Sequence, residues 1–345
     1  MSSIAAFIFL SSLATGTTIT LSSHHWLLAW VGLEINTLAI IPMMTKTPHP
    51  RAIEAATKYF LTQAAASALI LFSTSMNAWT LGEWDIQSFS TSTTVPITIA
   101  LCMKLGLAPL HFWMPDVLQG LPLSTGLILS TWQKIAPMAL LIQAPKVDSL
   151  SLLVLAGLLS AVVGGWGGIN QTQLRKIMAF SSIGHLGWMI IILKFNPNLT
   201  LFNFILYITM TSAMFMTLLT LNTTKMSQLS TSWPKTPALT LITMLTLLSL
   251  GGLPPLTGFA PKLMISAELV KQNSPALAGA MLLTSLLALF FYVRMAYIII
   301  LTIAPNTTPS KTIWRSNSNK SPLVAILNIL ALLLLPATAT IISTL

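Results

Sequence analysis

The sequence predicts an all-α polytopic membrane protein of about eleven transmembrane helices, built as two inverted five-helix repeats plus one terminal helix. Composition comes first. Of 345 residues, 54% are apolar and only 7% are charged, with a mean hydropathy of +0.81, whereas a soluble domain carries about 25% charged residues. Second, the apolar residues fall into runs of the length that crosses a bilayer as a helix, about 20 residues, rather than the roughly ten of a barrel strand. Third, two of those runs are interrupted by closely similar Gly/Pro segments. Cys102 is the single cysteine, so neither an internal disulfide nor a cysteine-rich metal site is available.

Breaking the apolar runs at polar, Pro and Gly clusters places spans at 3–21, 25–44, 55–76, 95–119, 123–144, 149–170, 174–193, 199–221, 237–270, 275–302 and 323–344. The first is apolar from its start and holds no Lys or Arg before Lys46, which fits neither a signal peptide nor a presequence. It is expected to stay as a span, inserted from the compartment of synthesis. The second carries Glu34 near its middle, and His24, His25 and His49 mark the ends of spans and read as interfacial. The third opens with Glu54 and Lys58, four residues apart, which reads as a helix-end ion pair. The fourth is long and broken by GLAPLHFWMP at 106–115, the fifth carries Lys134, and the seventh carries His185 among small residues. The ninth is broken by GLPPLTGFAP at 252–261, followed by Lys262 and Glu268, the latter a candidate gate or contact for a neighbouring subunit. Arg294, near the end of the tenth, can snorkel and reads as structural.

Loop charge orients the chain. The loops sharing the amino-terminal side hold nine basic residues: Lys46, Arg51, Arg175, Lys176, Lys225, Lys235, Lys311, Arg315 and Lys320. The other side holds three, Lys146, Lys194 and Lys271, with the acidic Glu83, Asp85 and Asp148. Cytoplasm-like loops are the basic ones, so the amino terminus is expected on that face. The two broken segments share five identities in ten at a constant offset of 146. A shift of five spans reverses direction, so the expected units are 1–145 and an inverted 146–303, with 304–345 a basic loop and terminal helix. Matching interrupted helices in inverted repeats mark ion pathways, because carbonyls freed by proline are tolerated at mid-depth only where they line a polar cavity.

The buried ionisable residues supply the chemistry. Lys134 lies about eleven residues from either end of its span, too far to snorkel, and an isolated charge there costs at least about 2–3 kcal/mol on the insertion scale. Lys104 precedes the first break, Lys262 follows the second, and Glu34 is the carboxylate nearest the middle of any span. Such groups pair with one another or relay protons, and a Glu–Lys chain can do both. Glu34 and Lys104 are expected about 4–7 Å apart, within pairing reach. Pro261 suits the first position of the second half-helix, so Lys104 and Lys262 are expected to meet opposite ends of helix dipoles. His111, inside the first break, could pass a proton between water and Lys104; His185 is either a relay or a hydrogen-bonded core histidine. No nucleotide-, flavin- or metal-binding pattern occurs.

These motifs carry a family resemblance: WVGLEINTLAIIP around Glu34, EAATKYFLTQAAAS from Glu54, MKLGLAPLHFWMPDVLQG from Met103, LSTWQKIAP around Lys134, LRKIMAFSSIGHLGWM from Leu174 and LGGLPPLTGFAPK ending at Lys262. Together they resemble the antiporter-like chain 2 subunits of NADH–ubiquinone oxidoreductase, respiratory complex I, over essentially the whole chain. The likeness is to the shorter animal form rather than the longer bacterial one. It implies a proton-translocating subunit of the membrane arm, part of an NADH:ubiquinone reductase, driven by quinone reduction elsewhere in the complex. Glu34, Lys104, Lys134, Lys262 and His111 stand on positions the family uses. The resemblance further implies no cofactor in this chain, with NADH, flavin, iron–sulfur clusters and ubiquinone on other subunits. Implied partners are the lipid bilayer and the neighbouring membrane-arm subunits, including chains 4L and 4 and supernumerary subunits; no nucleic acid is implied. The implied location is the mitochondrial inner membrane, with the amino terminus and basic loops in the matrix and the carboxyl terminus on the intermembrane-space side. The inverted repeat by itself also permits a free-standing cation/proton antiporter, and a structural scaffold with a vestigial charge pair is a third reading. A lone antiporter would run as a small oligomer, a complex I subunit with a very large assembly.

Overall fold

A computed structural model of the chain describes residues 3–46, 48–88, 90–144, 150–233, 236–301 and 322–338. Lys146, Asp148, Lys235, Lys311, Arg315, Lys320 and most of 304–345 therefore lie outside the described residues. The helices are α1 Ser3–Ser22, α2 Trp26–Met44, α3 Pro50–Leu81, α4 Thr91–Leu105, α5 Trp113–Gly120, α6 Leu123–Ser130, α7 Ile135–Gln143, α8 Leu150–Ile169, α9 Leu174–Leu193, α10 Pro197–Leu221, α11 Met226–Ser230, α12 Pro237–Gly251, α13 Phe259–Lys271, α14 Pro275–Leu301 and α15 Pro322–Leu333. A single 3-10 turn, Trp132–Lys134, joins α6 to α7. No strand occurs among the described residues. Eight helical segments are long and apolar enough to cross a membrane, and 92–105, 237–251 and 322–333 are shorter apolar helices. Many outward-facing side chains are large and apolar, Phe7, Phe72, Trp79, Trp166 and Leu283 among them, as lipid contact requires.

The chain divides into two compact units, Met1–Ser160 and Ala161–Leu345. In the first, an isolated antiparallel bridge joins His25 to Asp85, with Trp26 N–H donating to the Trp84 carbonyl at 3.0 Å and Ile86 N–H to His24 at 3.2 Å. In the second, Gln173 bridges Lys225, with Leu174 N–H donating to Thr224 at 3.1 Å and Met226 N–H to Thr172 at 3.2 Å. In both units the residue before the unit's second long helix pairs with the connection that follows its third.

Three differences from the sequence expectations have plain causes. The third span runs Pro50–Leu81 rather than 55–76, because Pro50 starts it and the His49 ring nitrogen caps it by accepting from Arg51 N–H at 3.2 Å. Arg51 and Glu54 are thereby drawn into the helix. His25 caps α2 in the same way, accepting from Leu27 N–H at 3.2 Å, so two of the histidines read as interfacial are capping groups. The fifth span is not one helix: it splits at the 3-10 turn that carries Lys134, where Pro137 has no N–H to offer the Gln133 carbonyl. Arg294 donates to the Ile169 carbonyl at the end of α8, a structural role.

Candidate functional site

At the first break, α4 ends at Leu105 and Gly106 takes the left-handed conformation with φ 76°. Gly106 N–H donates to Met103 (3.1 Å) and Leu107 N–H to Cys102 (3.0 Å), which closes the helix end. Lys104 sits in that last turn. The chain re-enters a helix at Trp113, whose indole N–H donates back across the break to the Met103 carbonyl at 3.2 Å. The second break repeats this geometry: Gly252 has φ 79°, Gly252 N–H donates to Ser249 (2.9 Å) and Leu253 N–H to Leu248 (3.4 Å). On the far side, Met114 N–H donates to His111 at 3.0 Å and Ala260 N–H to Thr257 at 3.1 Å. Each pair of equivalent residues is 146 positions apart, the offset seen in the sequence.

Lys104 and Lys134 line one cavity in the first unit, of about 20 Å³, with Asn36, Thr37, Tyr59, Gln63, Trp113 and Gln133. A buried water needs roughly 10–15 Å³ on this measure and two to four polar partners, so the chamber has room for one. Its walls supply the partners. Lys104 Nζ, both polar atoms of the Asn36 amide and Gln63 Nε2 are fully buried without a hydrogen-bond partner among the described residues. Such groups in native interiors are usually paired or hydrated. Lys104 and Lys134 are 6% and 3% exposed.

Glu34 is close enough to act electrostatically on both Lys104 and Tyr59, and its Oε2 is buried without a hydrogen-bond partner among the described residues. It makes no ion pair with Lys104: the pairs within 4.0 Å among the described residues are Lys58–Glu54, Lys58–Asp116 and Lys271–Glu268. His111 is buried in the break with its ring centroid 4.3 Å from that of Phe112, and it does not line the chamber.

The second unit has its own chamber, again about 20 Å³, and here the structure brings His185 and Lys262 together with Ser181, Trp188, Thr284 and Tyr292. The dipole expectation for Lys262 is not met. Helix α13 begins at Phe259, so Pro261 is its third residue, and the Lys262 amine turns back to donate to the Gly251 carbonyl at the end of α12. Lys262 therefore meets the negative end of the preceding half-helix. Gly252 makes this possible, since a Cβ there would stand 2.8 Å from Lys262 Nζ. Sequence reasoning used Gly252 only as a helix breaker; its positive φ and its contact with the amine are two further requirements.

Asp116 was not singled out from sequence. It converts the expected Glu54–Lys58 pair (2.8 Å) into a three-residue cluster, with Lys58 Nζ 3.1 Å from Asp116 Oδ2. Its signal was weak, a lone acid just after the break whose partner is 58 residues away. Glu268 accepts from Gln272 at 3.3 Å and stands 4.0 Å from Lys271, a local arrangement at the end of α13. Among the described residues no group of His, Cys, Asp and Glu could hold a metal ion.

Long apolar helices broken at glycine and proline around buried lysines define a class, that of polytopic ion-translocating membrane subunits. Comparison with known proteins gives the family. Residues 23–288 match the family model described as NADH:quinone oxidoreductase/Mrp antiporter, TM, and residues 289–342 match the NADH dehydrogenase subunit 2 C-terminus. NADH-ubiquinone oxidoreductase chain 2 of Aquarana catesbeiana is 66% identical over 341 residues, covering 99% of each chain. Among solved structures, a chain of respiratory complex I from Thermus thermophilus with bound Aureothin has a TM-score of 0.84 at 27% identity, covering 97% of this chain and 79% of that one. A chain of the Mrp complex from Dietzia sp. DQ12-45-1b has a TM-score of 0.84 at 15% identity, over 96% of this chain and 75% of that one, a likeness of fold alone. The chain belongs to the NADH:quinone oxidoreductase/Mrp antiporter family, within it to the NADH-ubiquinone oxidoreductase chain 2 subunits. It is thus a proton-translocating subunit of the membrane arm of a multisubunit NADH:ubiquinone oxidoreductase.

Proposed function

We propose that protons are relayed along Glu34, Lys104, Lys134 and Lys262, with His185 serving Lys262 and His111 a candidate link at the first break. The observation that carries this reading is the chamber of about 20 Å³ shared by Lys104 and Lys134, with room for one water and walls of unpartnered polar atoms. A water within roughly 2.6–3.2 Å of both amines can take a proton from one ammonium as it gives its own to the other amine. Glu34 supplies the compensating negative charge nearby.

In this reading the chain has eleven spans, two inverted five-helix repeats over 1–145 and 146–303 and a terminal segment over 304–345. Support comes from the repeated bridge in each unit and from the hydrogen bonds around the two breaks. The chain sits in the mitochondrial inner membrane, basic loops and amino terminus in the matrix and carboxyl terminus on the intermembrane-space side. It contacts chains 4L and 4, supernumerary subunits and lipid, holds no cofactor or redox centre, and receives its energy from quinone reduction on other subunits. The test is Lys134→Met in the assembled complex. Assembly is expected to persist while coupled turnover and the proton-to-electron ratio fall; normal values of both would end the relay reading.

A further inference from the structure

A second, larger cavity lies at the other end of the seam between α3 and α5. It measures about 200 Å³ and is lined by Arg51, Glu54, Ala55 and Lys58 of α3 and by Asp116, Gln119 and Gly120 of α5. The first turn of α3 and the last residues of α5 are both here, so the crevice is at the helix ends, beside the basic connection that carries Lys46. The small chamber occupies the same seam farther in, where Tyr59 and Gln63 follow on α3 and Trp113 precedes on α5. On a helix, residues three and four apart share a face. Residues 51, 55, 59 and 63 of α3, and 113, 116 and 120 of α5, therefore form two facing stripes that run from crevice to chamber.

On these stripes the chamber-lining residues next to the crevice are two rings, Tyr59 and Trp113, with centroids 5.7 Å apart and planes crossed at 63°. Both are buried, at 2% and 8% exposure. Lys58 in the crevice and Gln63 in the chamber are five positions apart, about 7.5 Å of helix, so the two cavities lie close along the seam. The Trp113 N–H is committed to Met103; Tyr59 contributes the hydroxyl.

We infer that the Glu54–Lys58–Asp116 crevice is where protons enter from the basic side, and that the Tyr59–Trp113 pair closes it off from the relay chamber. This rests on the relay reading of Lys104 and Lys134. The charges suit the task. Lys58 lies between two carboxylates, at 2.8 Å from Glu54 and 3.1 Å from Asp116, so either acid can take a proton from hydronium while the ammonium keeps the other as partner. The proton then leaves the carboxylic acid through crevice water. The Tyr59 oxygen receives it as the hydroxyl's own proton passes to chamber water, which leaves the phenol unchanged. The titratable and charged groups lining the crevice are Arg51, Glu54, Lys58 and Asp116; α2 and α4, which also pack on α3, contribute Glu34 and Lys104 on the chamber side.

The test uses the assembled complex reconstituted in vesicles. With Gln119→Cys, a membrane-impermeant thiol reagent added on the basic side is expected to react, Cys102 being buried; no reaction would mean that a neighbouring subunit fills the crevice and would overturn the proposal. In Asp116→Asn, coupled turnover is expected to match the parent at acidic pH and to fall about tenfold at alkaline pH, where capture of scarce protons limits the rate and a charged cleft matters most. Glu54→Gln, on an exposed surface, is expected to shift the profile in the same direction by less and serves if Asp116→Asn does not assemble. Tyr59→Phe is expected to lower turnover at every pH. A profile that superimposes on the parent in Asp116→Asn, or in Glu54→Gln where Asp116→Asn does not assemble, overturns the proposal. Lys134→Met separates the two ideas: lost pumping there with unshifted crevice variants removes only the proton entrance, whereas normal pumping there removes the relay beneath it.

Discussion

The first broken helix carries its lysine before the break, at Lys104, and an acid after it, at Asp116. In the second, 146 positions on, Leu250 stands where Lys104 stood and Lys262 where Asp116 stood. The backbones nonetheless close with the same glycine conformation and the same hydrogen bonds. What differs is how each break disposes of the carbonyls it frees. The first covers Met103 with the Trp113 indole and leaves the Lys104 amine in a polar chamber without a hydrogen-bond partner among the described residues. The second covers Gly251 with the Lys262 amine itself and packs Gly258 hard against the Ser249 carbonyl. One backbone device thus presents a free cation in one unit and a tethered one in the other.

The largest expected effect tests how tightly the second break is sealed. A Cβ on Gly258 would lie 1.6 Å from the Ser249 oxygen, and a clash between backbone and Cβ has no rotamer to relieve it. Gly258→Ala is expected to cost about 3 kcal/mol or more, read as loss of assembled complex. Phe112, its counterpart at the first break, is 74% exposed, and Phe112→Ala is expected to assemble normally. Equal assembly of the two variants would break the comparison.

Next come the glycines that close the helices. Gly106→Ala and Gly252→Ala each force a side chain into the left-handed region, worth about 1–3 kcal/mol. The new Cβ meets the Trp113 ring at 3.2 Å in the first and the Lys262 amine at 2.8 Å in the second. Both should lower the yield of complex, but only Gly252→Ala should also lower turnover per assembled complex, because it displaces the amine.

The breaks were legible because glycine and proline act locally: GLAPLHFWMP and GLPPLTGFAP fix where hydrogen bonding must stop, whatever packs around them. The lysines at them were legible because a charge in a long apolar run has few benign explanations. Other features depend on tertiary contact. The turn at Lys134 had a signal in Pro137, but one proline in a span more often bends a helix than divides it. The Lys262 amine reverses the dipole expectation because a four-carbon stem can reach back across the break, and spacing does not specify which way it reaches. Asp116 needs α3 beside α5, which hydropathy does not encode, and so does the chamber wall built from Asn36 and Gln63.

The tethered and free cations should also respond differently to removal. Lys104→Met takes away a buried ammonium that holds no hydrogen bond among the described residues, so assembly should stay near that of the parent while coupled turnover falls about tenfold or more, the range of a lost proton-transfer group. Lys262→Met leaves the Gly251 carbonyl uncovered, at about 1–3 kcal/mol for an unsatisfied buried group, so it should lose assembled complex as well as turnover. Blue-native gels quantify assembly, and NADH-driven proton uptake normalised to it gives turnover. The reverse pattern, with Lys104→Met the less stable, would mean that Glu34 depends on Lys104 more than the chamber geometry implies.

The smallest effect comes from making the first break resemble the second. Phe259 occupies in the second break the place of Trp113 in the first, and its side chain has no N–H to offer a carbonyl. Trp113→Phe keeps a ring against Tyr59 and against the open side of Gly106 but removes the donor that covers Met103, a loss of about 1 kcal/mol. Survival of assembled complex after mild heating should fall severalfold, with turnover before heating close to that of the parent. The reciprocal Phe259→Trp should gain nothing. The equivalent carbonyl, Ser249, is already packed against Gly258, and Lys262 covers Gly251, so an added indole N–H finds no acceptor waiting. A gain in heat resistance from Phe259→Trp would show that the second break, too, has a carbonyl in need of a donor, and the distinction between a free and a tethered lysine would lose its structural basis.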